Sequence, residues 1–200
     1  MGGLKMKKLT EKSSYEELDK AWKEVNEYGE RASNADAVKK AFKKKGTKTV
    51  YRRVNTPQKH RALYIIVGTK NRGLYMPLLI VDGSEGDSFV AREDDGKRSG
   101  YNLTVLHSHA IRRYIERHGW NGTLEECENH ILDSMWISSR NCDPITKELV
   151  MYLDNGVFLG CMKDGICHLN TYVANQHLFP YQRLKSKMLQ ESIEKLMEEI

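Results

Sequence analysis

No apolar run in this chain approaches the roughly 20 consecutive residues that a membrane-crossing helix needs. The longest candidates, Leu63–Gly68 and Leu74–Val81, have the length of strands. The opening stretch, Met1 to Lys12, is basic and polar with no apolar segment behind it. No secretory signal is therefore expected, and the reading is a cytoplasmic protein with no membrane partner. Cysteine is scarce: Cys127, Cys142, Cys161 and Cys167 are the four in 200 residues. Without a signal they read as free thiols in a reducing compartment rather than as two disulfides. Internal repeats and low-complexity linkers are also missing. Acidic residues are absent from Lys43 to Arg61, a run that carries eight basic side chains.

What is present is a globular composition, 40% hydrophobic and 30% charged. A chain of 200 residues can bury a core without staples. It suits one domain, or one domain with an N-terminal helical arm over 1–46 and an α+β body over 47–200. The formal charge of +5 permits a polyanionic partner without demanding one. Lys43, Lys44, Lys45, Lys48, Arg52, Arg53 and Arg61 are the candidate nucleic-acid contacts, set against the plain alternative of a solvated basic loop.

Periodicity supplies the elements. Ser14 followed by Glu17 is a capping box, and behind it Leu18, Ala21, Trp22, Val25 and Tyr28 recur at helical spacing over Tyr15–Arg31. Asn34 is placed to cap a second helix that Gly46 ends. Strands are predicted at Leu63–Gly68 and Leu74–Val81, a hairpin around Asn71-Arg72-Gly73, with Pro77 placing the second at an edge or a bulge. Ser88–Arg92 and Asn102–Leu106 read as two more. Helices follow over Ala110–Arg117, stopped by Gly119, and over Leu124–Met135, capped by Thr123 with Glu126. Asn141–Lys147 reads as an irregular loop. The second half then predicts a three-stranded antiparallel meander, Leu149–Leu153, Val157–Met162 and Ile166–Val173, turning at Asn155-Gly156 and Asp164-Gly165. A last helix is expected over Tyr181–Ile200. Its first turns are basic and its last acidic, against the helix dipole.

The stretch richest in chemistry is Leu106-His107-Ser108-His109-Ala110-Ile111-Arg112-Arg113-Tyr114-Ile115-Glu116-Arg117-His118. His109, Arg113 and Arg117 stand four apart and form one ridge of a helix. An imidazole can exchange a proton near neutral pH, and guanidiniums can clamp phosphate oxygens. From spacing alone, an ordinary charged surface helix explains the same residues.

Ser108-His109-Ala110, Arg113-Tyr114 and Glu116-Arg117, with Thr171-Tyr172-Val173 on the last meander strand, resemble the signature of the nuclease superfamily that includes barnase, EndoU, the tRNase colicins and RelE-like toxins. The likeness is greatest to small members borne by phages and mobile elements. It covers about Leu103–Val173, and Arg112 departs from the commonest pattern. The resemblance implies metal-independent cleavage of RNA by 2′-hydroxyl attack, with no cofactor. RNA is then the expected partner, with an inhibitor or antitoxin protein as a second. Carried over position by position, the implied site is His109 for proton transfer, Arg113 and Arg117 as phosphate clamp and Thr171 as positioning donor. His107, His168 and Tyr172 are candidates for a second proton-transfer group. His107 and His109 are expected to share a face; strand alternation points His168 away from Leu169 and Thr171. Cys127 and His130, three apart, offer only a sparse metal-ligand pattern, and no metal site is expected. The alternative is a non-catalytic nucleic-acid-binding or structural module of the same fold.

Overall fold

Ser14 stands where the chain enters its first helix. Its hydroxyl accepts the Glu17 N–H at 3.3 Å, and the Glu17 carboxylate accepts the Ser14 N–H at 3.2 Å. This reciprocal cap satisfies two donors that a helix start leaves orphaned, and helix α1 runs from it over Tyr15–Ser33. The computed structural model describes residues 8–34, 36–43, 48–69, 72–92, 103–136, 139–143, 145–153, 155–181, 183–184, 187–188 and 191. Asn34 does not open the second helix, as expected, but closes the first: its N–H bonds the Glu30 carbonyl at 3.1 Å. Helix α2 spans Asp36–Phe42.

The described residues form four α-helices and nine strands, a mixed α+β fold. The chain divides into two compact units, Met1–Val105 and Leu106–Ile200. In the first, strands β1 (Lys48–Asn55), β2 (Arg61–Thr69), β3 (Arg72–Asp82) and β4 (Asp87–Arg92) pair in chain order, all antiparallel. Ala62 to Ile66 are all buried, so β2 is covered on both faces. Helix α1 supplies one cover and is not a separate arm. The Trp22 indole N–H donates to the Pro77 carbonyl at 3.3 Å, and the Tyr64 hydroxyl donates to the Val25 carbonyl at 2.6 Å. Pro77 lies in a strand paired on both sides rather than at an edge. It is tolerated because the β4 register runs only from Leu79↔Val90 to Asp82↔Asp87, short of Pro77. Within the basic run Lys43–Arg61, Lys48–Asn55 form strand β1.

Strand β5 (Leu103–Leu106) carries the chain to the unit boundary. In the second unit, α3 (Ser108–His118) ends at Gly119, whose φ of 67° is the left-handed cap predicted for it. Helix α4 spans Leu124–Trp136. The meander has four strands, not three: β6 (Ser139–Cys142), β7 (Glu148–Leu153), β8 (Gly156–Lys163) and β9 (Ile166–Ala174). Their spatial order is β9-β8-β7-β6. The additional strand comes from a stretch expected to be part loop. The Asp143 carboxylate accepts the N–H groups of Ile145 at 2.7 Å and Thr146 at 2.8 Å, tightening the connection so that Cys142 can pair with Leu149. Those backbone donors, Thr146 first, hold the Asp143 carboxyl below its ordinary range.

The two meander turns differ. Lys163 pairs with Ile166, and Asp164 and Gly165 take φ of 50° and 77°, the tight turn that Asp-Gly predicts. The other turn sits one residue earlier than expected. Leu153 pairs with Gly156, so Gly156 belongs to the strand and not to the turn. Gly156 is needed there for close approach: a Cβ would stand 2.4 Å from the Val173 carbonyl oxygen. The helix expected over Tyr181–Ile200 falls mostly outside the described residues; within them Leu184 and Met188 are exposed.

Thr123 and Glu126 cap α4 as predicted, with Glu126 N–H to the Thr123 hydroxyl at 3.2 Å and Thr123 N–H to the Glu126 carboxylate at 2.8 Å. The Thr123 backbone bond, then its side-chain bond, hold the Glu126 carboxyl below its ordinary value of 4.5. Thr123→Ala should cost about 1 kcal/mol at neutral pH, read by denaturant unfolding. A depressed carboxyl stabilises the fold above its unfolded pKa and loses that contribution as pH falls through the folded one. The gap between parent and mutant should therefore narrow below about pH 4. A gap constant down to the lowest pH at which the protein stays folded would show that the 2.9 Å bond from the Thr123 hydroxyl to the Glu126 carboxylate contributes nothing to the cap.

Candidate functional site

Helix α3 buries Ala110, Ile111 and Tyr114 against the meander. The Tyr114 ring lies 4.7 Å from that of Tyr172 and 6.4 Å from that of Phe158, so α3 covers the sheet face that Phe158 and Tyr172 share. This orientation fixes where every predicted site residue falls.

The ridge His109, Arg113, Arg117 forms on the helix surface, but its polar groups are engaged locally. The Arg113 Nε donates to His109 Nε2 at 3.4 Å, and Arg113 also pairs with the Glu116 carboxylate at 2.9 Å. Arg112 reaches the same carboxylate at 3.4 Å. Desolvation pushes the Glu116 carboxyl up, yet the hydrogen bonds and charges of Arg113 and Arg112 outweigh it and hold it below its ordinary range. Arg117 donates to the Tyr172 backbone carbonyl, which ties the last turn of α3 to β9. The ridge thus works in large part as a helix-stabilising charge chain and an anchor.

Thr171 is not brought to His109. Phe158 pairs with Tyr172 and Leu159 with Thr171, which places Thr171 on the sheet face away from α3. That opposite face carries a small apolar cluster of Tyr152, Val157 and Leu178, with Val150, Leu159 and Val173 packed on it. A β-bulge decides who shares it. Gly160 pairs with Leu169 and Leu159 with Thr171, so Asn170 is an additional residue in β9. The bulge reverses the alternation: His168 and Thr171 share a face, where regular pleating would oppose them.

His168 then meets a partner. His107 stands at the N-cap of α3, where its N–H bonds the Leu169 carbonyl at 3.1 Å. Its ring nitrogen Nε2 lies 2.9 Å from His168 Nδ1, both side chains half-buried, with ring centroids 5.1 Å apart. His107 therefore joins His168 rather than His109. One nitrogen must carry the shared hydrogen and the other accept it, so each ring fixes the tautomer of its neighbour. Tyr172 drops out as a proton-transfer candidate. It is fully buried, its hydroxyl donates to the Asn155 carbonyl at 2.7 Å, and burial pushes its pKa well above the ordinary 10.

The basic run is dispersed along the first unit. Lys43 is exposed at the end of α2; Lys44 and Lys45 lie outside the described residues, as does the Lys48 side chain. Arg52 donates to the Ala32 carbonyl at 2.9 Å, while Arg53 sits 5.6 Å over the Phe89 ring. Neighbours in a strand, they point to opposite faces. Arg61 bridges Asp82 at 2.8 Å and Asp87 at 2.7 Å. Lys59 is exposed with φ of 64° at the β1–β2 turn.

Cys127 is buried and His130 exposed, so that pair does not converge; burial, then the nearby Glu128 charge, pushes the Cys127 thiol up to about 11. All four cysteines are free thiols. Among the described residues no group of three or more His, Cys, Asp or Glu side chains is placed to hold a metal ion, and no helix is long and apolar enough to cross a membrane. No family model, no curated protein and no solved structure matches this chain.

Proposed function

We propose that the second unit cleaves RNA without a metal, through 2′-hydroxyl attack, and that the His107–His168 pair transfers the proton. The observation that carries the reading is the 2.9 Å bond between His107 Nε2 and His168 Nδ1 on the sheet face that also bears Thr171. A histidine oriented by a hydrogen bond from behind is the arrangement general acid–base catalysis uses, with the partner stabilising the imidazolium that forms. In the reaction, His168 Nε2 takes the 2′-hydroxyl proton, O2′ bonds to phosphorus and the P–O5′ bond breaks. The shared hydrogen shifts to His107, whose Nδ1 can then release a proton toward the leaving O5′. Products are a 2′,3′-cyclic phosphate and a free 5′-hydroxyl. Thr171 is the positioning donor, and the α3 ridge holds the helix that places His107. The resemblance of α3 and Thr171-Tyr172-Val173 to the barnase, EndoU, colicin and RelE-like nucleases supports the same chemistry, toxin-like or phage-borne in setting, with an inhibitor protein as partner.

A second reading, a nucleic-acid-binding module without the reaction, draws on the separation of Thr171 from His109 and on the local engagement of Arg113 and Arg117. Incubation with end-labelled RNA in EDTA distinguishes the two. The expected result is fragments ending in 2′,3′-cyclic phosphate. RNA bound but intact would establish the binding module, and cleavage abolished by EDTA would overturn metal independence.

A further inference from the structure

Away from the histidine pair, four rings of the second unit line up from the core to the surface. Tyr114, 1% exposed, lies 4.9 Å from His118 between centroids. His118 and His130 are near parallel, 22° and 6.5 Å apart. His130 and Trp120 follow at 28° and 5.2 Å. The column is built by the α3–α4 connection. Gly119 ends α3 just after His118, and the Trp120 indole N–H donates to the Thr123 carbonyl at 3.2 Å, which turns the indole toward His130 on α4. Its outer members are open to solvent: His118 and His130 are exposed and Trp120 half-buried. Among the described residues the His130 imidazole makes ring contacts and no hydrogen bond. The Asn155 amide, 3.5 Å from His118 Nδ1, is held by the core: it donates to the Tyr114 hydroxyl at 2.7 Å and accepts from the Tyr172 hydroxyl at 3.1 Å.

Packing alone does not ask for this composition. An aliphatic residue at His118 or His130 would bury more apolar area against Tyr114 and Trp120. Flat, near-parallel rings with polar edges at the surface have a ligand chemistry of their own: every nucleobase has a π-face to stack and ring-edge donors and acceptors to bond. We infer that the exposed end of this column, Trp120 with His130 and His118, is a stacking site for an unpaired base of a single-stranded nucleic acid. This rests on the unit being one that handles nucleic acid, and it adds a requirement for single-stranded substrate.

The test uses the full chain and a single-stranded oligodeoxynucleotide containing 2-aminopurine, which lacks the 2′-hydroxyl and so reports binding without cleavage. Stacking on the column should quench its fluorescence. Trp120→Ala should abolish the quenching and weaken binding about tenfold, Trp120→Phe should keep most of both, and His130→Ala should fall between. Quenching and affinity unchanged in Trp120→Ala and His130→Ala, or no binding by the parent, would overturn the inference. RNA cleavage persisting in either case would leave the catalytic reading in place, so the two fail separately.

Discussion

His168→Ala should slow RNA cleavage by about 10²–10⁴-fold, the usual worth of a general acid–base group. His109→Ala, by contrast, should leave the rate within a few-fold of the parent. The two histidines are told apart by placement. His168 shares a face with Thr171 and is oriented by His107 at 2.9 Å, whereas His109 accepts the Arg113 guanidinium on the surface of α3. His107→Ala should fall between them, because it removes both the orienting partner and the proton donor to O5′ but leaves the His168 base in place, with water able to protonate the leaving group. His107→Gln, whose amide oxygen can accept the His168 Nδ1–H and so keep Nε2 free as the base, should recover part of the loss. Rates are to be compared at saturating RNA on variants whose circular dichroism matches the parent. Full activity in His168→Ala would remove the histidine pair from the mechanism. A loss confined to His109→Ala would move the site back to the helix ridge, and the distance from Thr171 would then need another positioning donor.

Much of the fold was legible because its signals are local. The capping boxes at Ser14/Glu17 and Thr123/Glu126, the Gly119 stop and the Asp164-Gly165 turn each depend on residues within four positions of one another, and each forms. Strand β6 was missed because its cause is not a strand signal at all. Asp143 folds the connection with its side chain, and a β-rich pattern is not needed for Cys142 to pair with Leu149. The placement of the basic run was not legible for a related reason. As a loop, its cations form one patch; as strand β1, alternation sends Arg52 to the Ala32 carbonyl and Arg53 to the Phe89 ring.

The candidate site was legible only in its members. His107, His168 and Thr171 all stand out in the sequence by residue type, but their association depends on two things spacing cannot carry. One is contact between residues 61 apart along the chain. The other is the additional residue at Asn170. Period-2 reasoning puts His168 and Thr171 on opposite faces, and a single bulge reverses that without leaving a mark in composition. The nearest mark is Gly160, opposite the bulge on β8.

Gly160→Ala should therefore be among the most damaging single substitutions in the second unit. A Cβ there would stand 1.7 Å from the His168 carbonyl oxygen and 2.7 Å from its carbonyl carbon. Both are backbone atoms of β9, and no rotamer change can relieve the overlap. The requirement is for room between the strands. β8 and β9 would have to part at the bulge, breaking the ladder where Gly160 meets Leu169. A loss of roughly 3 kcal/mol is expected, at the upper end for overpacking. Hydrogen exchange is the suitable readout, because it isolates the β8 and β9 amides from the first unit. Those amides should lose protection in Gly160→Ala while the β2 and β3 amides keep theirs. The same substitution should depress RNA cleavage even under conditions where the protein stays folded, since the bulge is what brings His168 and Thr171 onto one face. Unchanged protection in β8 and β9 would mean that the strands accommodate a methyl group without parting, and the bulge would then be too soft to hold a catalytic geometry.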